Sequence, residues 1–359
     1  MNTSLDHDPS KTKPLTVKSS CRLFALCFLL LISRASAENA DTMRVLFIGN
    51  SYTYFYIMPE IFGELSKAAG KNVEVQMSVG GGYSLEFHRS LQTTLNTLMS
   101  RPWNYVVLQE QSIYPTIEFY RQTSMYPAAR SLDSLIRLRG GKTVFFMTWG
   151  RKAGGMQCIA PYCSTPFRDF AQMQDTLNAA YTTIANELSA QLCPVGMAWK
   201  LALQENPSAP LWEDNDGHPS AAGSYLAACT FYALLHGSSP EGLSYYGGLS
   251  QSQAMNYQRL AYKAMRLYVS RPAEFVLHQN FPNPFRNRTT IIYSLPRRGS
   301  VLVDFYNALG QRVGPAVSEV KGPGTFDVEF YAGSAASGAY IYRLEFEGKA
   351  NTGKMILVK

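Results

Sequence analysis

The chain has 359 residues, of which 46% are hydrophobic and 16% charged, a balance that excludes a disordered chain and suits about two domains. The formal net charge of +7 is confined to the ends: residues 1–37 carry +3, residues 38–270 carry none and residues 271–359 carry +4. The central region therefore lacks the basic footprint that binding to a phosphate backbone needs, and no nucleic-acid partner is expected.

Residues 1–37 read as a signal peptide. Lys11, Lys13, Lys18 and Arg22 precede an apolar run over 23–32, and Ala35-Ser36-Ala37 is a small-residue cleavage site. The run is shorter than the ~20 residues that a bilayer span requires, which weighs against a retained anchor. Export makes disulfides available. Cys158 and Cys163, in a Gly/Pro-rich stretch, are expected to staple their loop. Their spacing suits a zinc pair less well, and no His lies close in sequence. Cys193 and Cys229 sit in apolar surroundings and read as buried residues, paired or not.

From residue 38 to 270, short apolar runs alternate with helical spacing. Strands are predicted at 44–48, 73–77, 105–108, 143–148 and 194–197. Helices are predicted at 59–69, 85–99, 128–139, 167–192 and 221–235. This alternation implies an α/β domain with a parallel sheet covered on both faces. In such sheets the chemistry lies beyond the carboxyl ends of the strands. From about residue 271 the pattern changes to strands at 291–295, 301–306, 325–330 and 339–346, separated by Pro, Asn and Gly turns. That is a small antiparallel β-sandwich and a second domain.

Two polar clusters carry candidate chemistry. Ser51 follows the first strand in the turn Gly49-Asn50-Ser51, where a hydroxyl is presented at the active edge of the sheet and nearby amides can hold an oxyanion. His218 lies in Asp214-Asn215-Asp216-Gly217-His218-Pro219-Ser220, just before a helix, with acids at hand to fix its tautomer. Either cluster alone is also compatible with an ordinary loop.

Together the clusters resemble the SGNH (GDSL-like) hydrolase family. The resemblance rests on Leu-Phe-Ile-Gly-Asn-Ser (46–51), Gly-Gly-Tyr-Ser-Leu-Glu-Phe-His (81–88), Val-Leu-Gln-Glu-Gln-Ser (107–112) and His-Pro-Ser-Ala-Ala-Gly-Ser-Tyr-Leu-Ala-Ala (218–228), in that order at strand ends. It covers about residues 43–268 and is closer to a branch of unknown function. It implies a three-layer, flavodoxin-like SGNH fold and a secreted esterase without metal or organic cofactor. Ser51 would be the nucleophile and His218 the base, with Asp216 or Asp214 as the acid. The oxyanion donors would be the Ser51 amide, a glycine amide at 80–82 such as Gly81, and the side chain of Gln111 or Gln109. Two departures stand out: the third block has Gln where the family has Asn, and Asn215 occupies the place three before His218 where the family has Asp. His88 is a candidate substrate contact, its alternative being a helix-surface histidine. Trp149, after the fourth strand, is a candidate pocket wall. The aromatic residues near 52–56 and 114–126 hint at a carbohydrate ester, plausibly an O-acetyl group.

The second domain has its own resemblance. His278-Gln-Asn-Phe-Pro-Asn-Pro-Phe285, Val303-Asp-Phe-Tyr-Asn-Ala-Leu-Gly-Gln311, Ser337-Gly-Ala-Tyr-Ile-Tyr342 and Lys354-Met-Ile-Leu-Val-Lys359 are similar to the type A sorting domain of the type IX secretion system. This implies recognition of residues 275–359 by that machinery. The protein is then exported through the periplasm of a Gram-negative bacterium to the cell surface or medium.

Overall fold

The computed structural model describes residues 42–214, 217–268, 274–297, 299–314, 317–321 and 324–359. The signal-peptide reading, the 270/271 domain boundary and Asp216 lie outside the described residues.

Five parallel strands form the central sheet: β1 (Met43–Gly49), β2 (Val73–Val79), β3 (Tyr105–Leu108), β4 (Lys142–Phe146) and β7 (Gln191–Cys193), in the order β2-β1-β3-β4-β7. Between β4 and β7, a small hairpin of β5 (Cys158–Ile159) and β6 (Tyr162–Cys163) is closed by a Cys158–Cys163 disulfide. Cys193 and Cys229 are buried and form no disulfide.

Strand alternation sends side chains to opposite faces. Val45 and Phe47 of β1 point into a core with helices α2 (Met58–Ala68), α7 (Val195–Glu205), α8 (Ala221–His236) and α9 (Gln251–Tyr268). Leu46 and Ile48 point the other way, into a core with α5 (Tyr126–Leu138) and α6 (Phe170–Glu187). The three-layer α/β fold follows from these two cores. Helix α8 is apolar all round because it is nearly enclosed. Ser220 caps its first turn by accepting from the Gly223 amide at 3.1 Å, and Gly237, at φ 61°, ends it.

Three expectations differ from the structure. The 194–197 strand is instead the start of α7: the edge strand ends at Cys193, Pro194 caps the helix, and the apolar run that follows is buried by two neighbouring helices rather than by sheet pairing. The 85–99 helix is two short helices, α3 (Leu85–His88) and α4 (Gln92–Met99), broken at Leu91. Helix α9, too polar on its outer face to stand out in the sequence, buries Ala254, Leu260, Ala261 and Ala264.

The C-terminal region has strands β8 (Val276–Leu277), β9 (Arg288–Leu295), β10 (Gly299–Asn307), β11 (Val317–Lys321), β12 (Gly324–Tyr331), β13 (Gly338–Phe346) and β14 (Lys349–Leu357), which form two antiparallel sheets in the orders β11-β10-β13-β14 and β12-β9-β8. Ile291, Tyr293 and Leu295 of β9 (Arg288–Leu295) meet Val301, Val303, Leu344 and Phe346 of the facing sheet in a third core. This sandwich packs on the α/β region through a buried ion pair. Lys200 of α7 and Asp327 of β12 (Gly324–Tyr331), both with side chains only 3% exposed, are bonded, and half-exposed Asp175 accepts from the same ammonium at 2.8 Å. Burial alone would lower the Lys200 pKa. The two carboxylates outweigh it and hold the ammonium well above its ordinary value. Removing one member of such a pair strands the other charge. Lys200→Ala, which leaves the buried Asp327 carboxylate without its cation, is therefore expected to destabilise the chain by about 3–5 kcal/mol, read as a lower denaturant midpoint against wild type.

Candidate active site

The first strand ends in a turn that tolerates little else. A Cβ at Gly49 would fall 2.5 Å from Gln109 Oε1 and 2.6 Å from Thr53 Oγ1, so only glycine fits. Asn50 then caps the single helical turn α1 (Ser51–Tyr54), its Oδ1 accepting from the Tyr52 amide at 3.1 Å. The same side chain donates through Nδ2 to the carbonyls of Tyr83 at 2.8 Å and Glu110 at 3.4 Å. Gln109 Oε1 accepts from the Asn50 amide at 2.8 Å and from Thr53 Oγ1 at 2.9 Å. Ser51, the first residue of that turn, is thus held by contacts reaching from β1 to the segments after β2 and β3.

His218 arrives from 167 residues further along the chain. Its Nε2 lies 2.9 Å from Ser51 Oγ. The imidazole stacks on Phe55, with centroids 4.3 Å apart and planes at 13°, and meets the Tyr52 ring edge-on at 5.8 Å. Its loop is fixed from below by Trp149, whose Nε1 donates to the Gly217 carbonyl at 3.0 Å. The Trp149 ring lies between Tyr52 at 4.7 Å and Trp199 at 4.2 Å, nearly parallel to both. Burial, and then the nearby Arg151 charge, push the His218 pKa below its ordinary value, against the opposing pull of Glu213. An open, shallow depression lies beside the imidazole, lined by Tyr54, Phe55, Tyr56, Glu213 and Asp214. Tyr56 and Ile57 on its rim both have φ of 50°, an uncommon backbone for such side chains.

The other sequence candidates divide. Asp214 is exposed and makes no hydrogen bond to His218. The Glu213 amide donates to the His218 carbonyl at 2.9 Å, a turn that leaves Asp214 on the outside. Gln109 is not placed as an oxyanion donor, because its carbonyl clamps the Ser51 turn and its Nε2 donates to the Glu110 carbonyl. Gln111 is half-buried. Its Oε1 accepts from the amides of Ile113 at 2.8 Å and Tyr114 at 3.2 Å, leaving the Nε2 end as its donor. Gly81 is exposed and faces the Ser51 turn: a Cβ there would lie 3.6 Å from Tyr54 Oη.

His88 and Trp149 are corrected. His88 is fully buried, neither a substrate contact nor a surface residue. Its ring nitrogens are bonded to Thr94 Oγ1 at 2.8 Å and the Gly49 carbonyl at 2.9 Å. Trp149 is 1% exposed and supports the His218 loop from inside the core instead of walling a pocket.

Sequence reading missed Glu110. Its fully buried carboxyl accepts through Oε1 from the amides of Leu85 at 3.1 Å and Gln111 at 2.6 Å, tying together the segments after β2 and β3. The other oxygen, Oε2, has no hydrogen-bond partner among the described residues. Burial pushes its pKa up to about 7, against the two backbone donors. No local motif announces a buried acid between two glutamines.

The comparisons with known proteins follow this geometry. Residues 279–359 match the family described as secretion system C-terminal sorting domain. Among curated proteins no sequence relative matches. Several solved structures are similar to the α/β region. A proposed SGNH hydrolase from Slackia heliotrinireducens is 26% identical, with 52% of this chain and 96% of that one covered and a TM-score of 0.43. A DUF4886 family protein from Bacteroides uniformis is 21% identical, with 63% and 95% covered and a TM-score of 0.49. A variant of an acetyl xylan esterase from Geobacillus stearothermophilus is 18% identical, with 53% and 92% covered and a TM-score of 0.36.

Glu110 also makes stability depend on pH. A carboxyl whose pKa is raised on folding stabilises fully below its unfolded value near 4.5, and that contribution is lost as pH rises through about 7. In Glu110→Gln, which cannot ionise, the loss of stability between pH 4.5 and pH 8 is expected to shrink by on the order of 3 kcal/mol. Denaturant titrations of both proteins across that range measure it. The same slope in each would remove the assignment.

The chain thus carries a C-terminal secretion-system sorting domain behind an α/β domain built on a five-stranded parallel sheet.

Proposed function

We propose that this protein is an exported serine ester hydrolase. The observation that carries the reading is the 2.9 Å contact between Ser51 Oγ and His218 Nε2 at the carboxyl edge of a parallel sheet. A neutral imidazole accepts the Ser51 proton as Oγ attacks the acyl carbonyl. The Ser51 amide, the Gly81 amide and Gln111 Nε2 are the donors assigned to the oxyanion. His218 then returns its proton to the departing alcohol. A water molecule deprotonated by His218 splits the acyl-enzyme, releasing the acid and restoring Ser51. Because Asp214 does not reach the imidazole, Asp216 is the residue assigned to orient it.

The aromatic depression supports an O-acetylated carbohydrate as the substrate class: Tyr54, Phe55 and Tyr56 offer faces on which a sugar ring can stack. The sorting domain supports delivery to the cell surface or medium by the type IX machinery, with residues 275–359 as the part recognised.

Ser51→Ala is expected to abolish 4-nitrophenyl acetate hydrolysis and labelling by a fluorophosphonate probe, with an unchanged far-ultraviolet circular dichroism spectrum. Undiminished turnover would defeat the assignment. The pH profile provides a second check. His218 acts as a base only when neutral, and its pKa lies below 6.5. The acidic limb of kcat/KM should therefore have its midpoint below pH 6.5, with activity lost as pH falls through that midpoint. A midpoint well above 6.5 would contradict the burial argument.

A further inference from the structure

Glu110 stands just beyond β3 and is fully buried. Its Oε1 accepts from two backbone amides in different parts of the fold, Leu85 at the start of α3 at 3.1 Å and Gln111 at 2.6 Å. Its backbone is engaged as well. The Glu110 amide donates to Tyr181 Oη of α6 at 3.4 Å, and the Glu110 carbonyl accepts at 3.4 Å from the side chain of Asn50, the residue before Ser51.

Each of these bonds ends beside a group assigned to the oxyanion. Gly81 lies in the segment 80–84 that links β2 to α3. The Gly80 amide ties one end of that segment to the Gly49 carbonyl at 3.4 Å, and the Leu85 amide ties the other end to Glu110. Between them the Tyr83 carbonyl accepts from Asn50 Nδ2 at 2.8 Å. Gln111 brings the second donor, Nε2. Its backbone is held by the same Glu110 oxygen, and its Oε1 is fixed by the amides of Ile113 and Tyr114. The third donor is the Ser51 amide, next to Asn50. One buried residue is therefore bonded to the segments that carry all three donors.

A shared acceptor is a strict constraint. Two N–H groups meeting on one oxygen cannot separate without losing a bond, and the loss leaves a buried polar group unsatisfied. A carboxylate accepts from backbone amides more strongly than a neutral oxygen does. The chemistry is sensitive to this placement, because an oxyanion donor acts only within about 3 Å of the place where negative charge develops.

We infer that Glu110 is a positioning residue for ester cleavage, its carboxyl holding the Gly81 segment and Gln111 at the separation that lets both reach one oxyanion. This rests on the reading of Ser51 and His218 as an ester-cleaving pair and adds to it the residue that registers the oxyanion donors. Glu110 itself is enclosed and touches no substrate.

The test compares the full-length protein with Glu110→Asp, Glu110→Ala and Glu110→Gln on 4-nitrophenyl acetate. Working sites are counted by end-point labelling with a fluorophosphonate probe, so that loss of folded protein does not pass for loss of rate. Glu110→Asp places the carboxyl one methylene short of the two amides and is expected to lower kcat per labelled site at least about tenfold. Glu110→Ala should lower it about 10²-fold, the effect of losing one oxyanion donor. KM should stay within about twofold, since the donors act in the transition state, and the acidic limb set by His218 should keep its midpoint. Glu110→Gln keeps an acceptor oxygen of the same reach and should hold kcat within about threefold of wild type, well inside the loss of a donor. Hydrogen exchange of the Leu85 and Gln111 amides should quicken in Glu110→Asp and stay slow in Glu110→Gln. An undiminished kcat per labelled site in Glu110→Asp, or a loss in Glu110→Gln as large as in Glu110→Asp, would overturn the inference. Absence of Ser51-dependent hydrolysis in the unsubstituted protein would instead count against the esterase reading, and the exchange rates would still tell whether Glu110 holds the two segments.

Discussion

Gln109 accepts two hydrogen bonds through one buried oxygen, and the Ser51 turn depends on that acceptor. The Asn50 amide and the Thr53 hydroxyl both converge on it, and Gly49 is pressed so close that no side chain could stand there. A buried carbonyl that lost these donors would go unsatisfied, at a cost of about 1–3 kcal/mol. The turn is therefore locked to the end of β3 before any substrate arrives. The Asn50 side chain extends the lock to the segment after β2 through the Tyr83 carbonyl. Three strand ends become one rigid platform, and the Ser51 hydroxyl emerges from it at the start of a helical turn.

The opposite half of the site is positioned by stacking rather than by a hydrogen-bond lattice. Tyr52, Trp149 and Trp199 form a nearly parallel stack, and Trp212 closes on Trp199 edge-on at 5.0 Å. Two indole N–H groups leave this apolar column to bind backbone carbonyls, Trp149 at Gly217 and Trp212 at Gly150. These bonds fix the His218 loop and the Arg151 segment against the same column. Large aromatic surface with a single polar handle suits this task, since burial supplies the free energy and the N–H supplies the direction. It also explains why Trp149 is hidden: a residue that sets the height of the His218 loop has to lie beneath it.

The buried Lys200–Asp327 pair relates the sorting domain to the rest of the chain. An ion pair enclosed on both sides holds two elements in one relative placement more than it adds net stability, because the desolvation of both charges offsets much of their attraction. Gln204 adds a second polar contact from the same helix, donating to Thr290. The sandwich is seated on α7, whose predecessor strand is the outermost of the parallel sheet.

Local pattern was enough to mark most of the parallel strands, the antiparallel C-terminal region, and Ser51 and His218 as partners, because strand runs, turn residues and motif order are properties of neighbouring residues. Helix α7 was misread for the same reason: an apolar run after Pro194 has no period that separates a buried strand from a buried helix. The placements of Gln109, Glu110, His88 and Trp149 were decided only in three dimensions. Each depends on atoms more than twenty residues away, and side-chain chemistry alone permits either a buried strut or an exposed contact. Which one it became was settled by the direction in which each strand end delivered its side chain.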